Sequence, residues 1–146
     1  MTPTLSGRWQ ARVLLMGLVG GLITFFFAQA FGDYQTPFVL LAYVIAIGLL
    51  WDMLYAYVQT LRWDRDWPPI FFLVCAILEA IVLWGLIKGG LWAYFGLTSL
   101  PGVSPNLTLG QFVAHYSTVF LVIFLLMLGP LKLTTLYWRF RGGQWL

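Results

Sequence analysis

Residues 38–61 read FVLLAYVIAIGLLWDMLYAYVQTL, and in these 24 positions the only charged side chain is Asp52. A helix rises about 1.5 Å per residue, so a stretch of this length crosses a hydrocarbon core about 30 Å thick. Three more stretches of the same character flank it, at 13–31, 70–87 and 109–128. With 61% hydrophobic and only 9% charged residues among 146, too little polar material remains to clothe a soluble surface. The expected fold is therefore an all-α integral membrane protein. It has four transmembrane helices in one antiparallel bundle, a single domain spanning 1–146, with residues 131–146 lying along the interface after the last span.

The first stretch also has the outline of a secretory signal, with Arg8 and Arg12 ahead of an apolar run that ends in Ala28-Gln29-Ala30. Its apolar run is longer than the roughly 7–15 residues of a signal core, so an uncleaved first span is expected. Loop charges orient the chain. Arg8 and Arg12 precede the first span, Arg62 and Arg65 separate the second from the third, and Lys132, Arg139 and Arg141 follow the fourth, whereas the opposite loops carry Lys88 alone. Because positive residues stay on the cytoplasmic side, both termini are expected there. A bacterial inner membrane or a related internal membrane suits such a chain, with lipids and other membrane subunits as its partners. The net charge of +3 comes from residues beside the spans, so it orients the chain and does not point to nucleic acid.

Helix ends are marked by local chemistry. Gly32-Asp33 breaks the chain after the first span, Thr36-Pro37 opens the second, Pro68-Pro69 opens the third and Gly89-Gly90 ends it. Thr108 and Gln111 have the spacing of a capping box ahead of the fourth span, and Gly129-Pro130 should kink or end it. Small residues at four-residue spacing, Gly17 and Gly21 extended by Thr24 and Ala28, form a candidate packing face. That face serves either this bundle or a second subunit.

Two acids lie within the spans. Asp52 precedes Arg62 by ten residues and Glu79 follows Pro69 by ten, which puts each about 15 Å from the shared turn. A charge within a span costs on the order of 2.5–3.5 kcal/mol on insertion scales, so the pair requires a reason. Three are open: protonation or hydrogen bonding to neighbours such as Tyr55 and Trp51, pairing with a partner subunit, or a proton or cation relay. His115, nearer the opposite surface, is a candidate ligand for haem or a pigment, although a lone histidine on an apolar helix is more often structural.

The remaining chemistry is sparse. One cysteine, Cys75, rules out an intrachain disulfide. There are too few His and Cys residues for a protein-built zinc site, and no CxxC, no phosphate-binding glycine loop and no nucleophile–base set at meaningful spacing. No metal site, no resident cofactor and no enzymatic activity are expected. Two connections carry aromatic side chains suited to docking: Arg62, Trp63, Asp64, Arg65, Asp66 and Trp67 on the cytoplasmic side, and Trp92, Tyr94 and Phe95 on the other. The expected function is a non-catalytic integral subunit, anchor or assembly factor of a larger membrane complex. The alternatives are a small oligomeric proton or ion conductor using Asp52 and Glu79, and a pigment- or haem-binding subunit using His115.

Overall fold

The computed structural model describes residues 4–61, 63, 69–89, 94–96 and 100–131, and within these the regular structure is entirely helical. Four helices are long and apolar enough to cross a membrane: α1, Leu5–Phe31; α2, Gln35–Thr60; α3, Pro69–Lys88; and α4, Leu109–Leu128. The chain is thus a multi-pass membrane protein by length and composition. At about 1.5 Å per residue these helices measure about 40, 39, 30 and 30 Å.

Helix ends follow the local chemistry of the sequence. Thr4 caps α1, its hydroxyl accepting from the Gly7 N–H at 3.1 Å. At the other end Gly32 adopts the left-handed conformation (φ 67°) that a side chain would resist. Asp33 then accepts from the backbone N–H groups of Gln35 and Thr36 at 2.9 and 3.3 Å, which starts α2 within a few residues of the end of α1. Pro69 is the first residue of α3, and Thr108 with Gln111 makes the full capping box of α4. Helix α4 stops at Leu128, ahead of Gly129-Pro130.

The largest departure from expectation is in α1. It begins at Leu5 and not near Val13, so Arg8 and Arg12 belong to the helix and are drawn into the bundle. One π turn, Met16–Gly20, interrupts it, with the Gly21 N–H bonding back to the Met16 carbonyl.

Helix α1 packs against both α2 and α4, and α3 packs against α2 and α4. Leu15, Met16, Leu40, Leu41, Val44, Leu83, Val119 and Ile123 fill the space between them. Outward faces are apolar, as lipid requires, with Leu18, Leu22, Phe26, Leu50 and Ile81 all exposed. The connection before α4 has two characters. Leu100, Val103 and Leu107 turn into the core, and the Ser104 N–H bonds to the Thr36 hydroxyl, so 100–107 covers that end of the bundle. Tyr94 and Phe95 instead stand 88% and 75% exposed.

Candidate functional site: a buried arginine between two carboxylates

Asp52 and Glu79 do come close together, but a third residue separates them. The Arg12 guanidinium lies between the carboxylates: Nε and Nη2 donate to the Asp52 oxygens at 2.8 and 3.0 Å, and Nη1 and Nη2 donate to those of Glu79 at 3.1 Å each. Four of the five guanidinium protons and all four carboxylate oxygens are thereby engaged. All three side chains are nearly out of contact with the surroundings of the bundle. Helices α1, α2 and α3 each supply one member.

Each helix presents its member by a simple repeat. On α2 the buried positions run Gly48, Asp52, Tyr55 and Gln59, one stripe of an α-helix. On α3 they run Ala76, Glu79, Leu83 and Ile87, and on α1 Arg8, Ala11, Arg12 and Leu15 share the inward side. Gly48 is required where it stands. A Cβ built there would overlap the Nη1, Cζ and Nε of Arg12, so the guanidinium rests against the bare α2 backbone one turn from Asp52.

A second arginine extends the cluster. Arg8, four residues before Arg12, is buried and donates from Nη2 to the Gln59 side-chain oxygen at 2.9 Å, with its guanidinium 6.0 Å from the Phe72 ring centroid. Two cations and two anions thus share this part of the bundle with formal balance. Tyrosines close the layer from the sides: Tyr55 donates to the Cys75 carbonyl at 3.4 Å and Tyr116 to the Ala76 carbonyl at 2.9 Å, both one turn before Glu79. Trp9 adds a bond from its indole N–H to the Leu49 carbonyl at 3.1 Å.

The acids therefore obtain their counter-charge from their own chain, an arrangement absent from the three explanations the sequence offered. The signal was present. Arg8 and Arg12 stand at the i, i+4 spacing of one helical face, and a helix carried back from Val13 to the capping Thr4 brings both into register with the acid-bearing stripes.

His115 belongs to a separate polar centre. Its Nε2 lies 2.9 Å from the Thr24 hydroxyl, its ring meets the edge of Phe27 at 5.4 Å, and only 2% of the residue is exposed. One ring nitrogen is already engaged by the Thr24 hydroxyl. Between the Arg12 layer and this pair, α1 buries Leu15, Met16 and Gly20, while α2 buries Leu40, Leu41 and Val44. The two polar centres are divided by an apolar layer. Among the described residues there is no group of three or more His, Cys, Asp or Glu placed to hold a metal ion.

The small-residue face divides. Thr24 and Ala28 are fully buried, whereas a Cβ at Gly17 or Gly21 would meet nothing within 4 Å, so neither glycine packs inside this bundle. Gly20 takes the packing position instead, where a Cβ would stand 3.2 Å from Leu41 and 3.3 Å from Val119. Of the docking candidates, Trp63 is 96% exposed and Tyr94 and Phe95 project outward. Arg62, Asp64, Arg65, Asp66, Trp67 and Trp92 lie outside the described residues, as does 132–146 of the expected interfacial segment. Comparison with known protein families, curated proteins and solved structures finds no match to this chain.

Proposed function

We propose that this protein is a non-catalytic integral subunit, anchor or assembly factor of a larger membrane complex, an antiparallel four-helix bundle with both termini on the cytoplasmic side of an inner or internal membrane. The observation that carries this reading is the Arg12 clamp. It engages both intramembrane carboxylates in four hydrogen bonds, so the two acids obtain their counter-charge within the chain. What remains without a function is the surface, above all the protruding Trp63, Tyr94 and Phe95. The antiparallel arrangement is supported by the pairing of Arg8 with Gln59 and of Arg12 with Asp52, since numbers rise on α1 as they fall on α2. Orientation rests on Arg62, Arg65, Lys132, Arg139 and Arg141 against Lys88, a five-to-one excess even with Arg8 and Arg12 left out as drawn into the bundle.

Proton conduction is the weaker reading. A relay carboxylate must exchange its proton along a polar path, whereas Asp52 and Glu79 are held by a fixed cation and an apolar layer separates them from His115. The discriminating experiment is native mass spectrometry of the protein taken from its own membrane in mild detergent. The subunit reading expects other polypeptides in fixed ratio, and expects Trp63→Ala or a Tyr94→Ala/Phe95→Ala pair to release them while the bundle stays folded. A homo-oligomer free of other polypeptides, with proton flux in liposomes abolished by Glu79→Gln, would overturn it in favour of conduction.

A further inference from the structure

We infer that the π turn Met16–Gly20 is a register adaptor, a conformational device that lets one helix satisfy two buried polar centres which an uninterrupted α-helix would turn to different sides. Arg12 must face Asp52 and Glu79, and Thr24, twelve residues later, must face His115. At 3.6 residues per turn, twelve residues of plain α-helix leave the second side chain about 120° from the first. A single π turn absorbs one extra residue, so the effective separation becomes eleven and the offset shrinks to about 20°. Met16 and Ala28, both buried, stand at the same spacing across the same turn and gain the same alignment.

The local structure fits this role. The Gly21 N–H reaches back five residues to the Met16 carbonyl, and ordinary α-helix resumes on both sides. The turn carries glycine at 17 and 20, with Gly21 following, so two of its five positions bear no side chain. Only its middle points outward: Leu18 is 74% exposed and a Cβ at Gly17 would touch nothing, whereas Met16 is buried and Val19 packs against the core. Gly20 faces inward at close quarters with Leu41 and Val119, so the chain returns to the packed side immediately after the turn. The outward displacement of Gly17 from the Thr24–Ala28 face follows from the same extra residue.

The adaptor makes an asymmetric prediction for the full-length protein. Deleting Leu18 removes the surplus residue and leaves a plain α-helix with Arg12 and Thr24 still on one side, so the variant should fold with a melting temperature close to that of the parent. Inserting one Ala between Leu18 and Val19 restores the misalignment and should cause loss of folded, monodisperse protein in detergent. Retention of the clamp in the deletion variant is read separately, because Arg12→Met should lower its melting temperature as much as it lowers the parent's. Failure of the Leu18 deletion to fold, equal tolerance of the insertion, or a folded deletion variant indifferent to Arg12→Met would each overturn the inference.

Discussion

At the scale of single residues, the decisive quantity is the number of hydrogen bonds one guanidinium makes. Removing one member of a buried ion cluster typically costs about 3–5 kcal/mol, because the remaining charges stay buried without compensation, whereas replacing all members by apolar groups is often neutral. The cluster therefore fixes which surfaces of α1, α2 and α3 meet, and contributes less to net stability than its four bonds suggest. Gly48 shows how closely it is fitted. A methyl group there displaces the Arg12 guanidinium, and overpacking of this kind costs about 1–3 kcal/mol. Gly48→Ala should accordingly lower thermal stability in detergent, and should cost less when Arg12 is already Met, the non-additivity expected of residues in contact. From the sequence the two acids and their common depth were legible. Their partner was not, because Arg12 reads as a juxtamembrane charge until the helix is extended back to Thr4.

At the scale of elements, helix boundaries were the most legible feature, since they are written in local chemistry. Gly32 takes the left-handed turn, Pro69 opens α3, and Thr108 with Gln111 forms the capping box of α4, each from residues within a few positions of one another. The π turn was not legible. Nothing in Met16-Gly-Leu-Val-Gly20 distinguishes it locally from α-helix, and its cause lies in contacts Arg12 and Thr24 make with three other helices. The short link between α1 and α2 carries a pH dependence of its own. Hydrogen bonds from Thr36, side chain and backbone, and from the Gln35 N–H hold the half-buried Asp33 carboxyl below its usual value of 3.8. A depressed folded value means that its contribution is complete above the unfolded pKa and is lost as pH falls through the folded one. Acidification below about pH 4 should thus loosen the start of α2 in the parent but not in Asp33→Asn, as followed by hydrogen exchange of the Gln35 and Thr36 amides.

At the scale of the whole molecule, the bundle is organised in layers along its length: Arg8 with Gln59, then Arg12 between Asp52 and Glu79, then an apolar stratum, then Thr24 with His115, and finally the cover of Leu100, Val103 and Leu107. The orientation proposed for these layers is open to direct test. In a Cys75→Ala background, Trp63→Cys should react with a membrane-impermeant thiol reagent only from the cytoplasmic side, and Tyr94→Cys only from the other. Labelling from the reverse sides would invert the topology. Four spans could be read from composition alone, because lipid imposes the same demand on every segment that crosses it. How the spans face one another could not, since their apolar surfaces are nearly interchangeable and only a few polar side chains break the tie. The central claim is that those side chains compensate one another within this chain, and the most direct measurement compares the stability of Arg12→Met with that of the triple variant Arg12→Met/Asp52→Leu/Glu79→Leu. Compensation within the chain predicts a loss of about 3–5 kcal/mol for the single variant and recovery of most of it in the triple. A single variant as stable as the parent, or a triple variant less stable than the single, would contradict it.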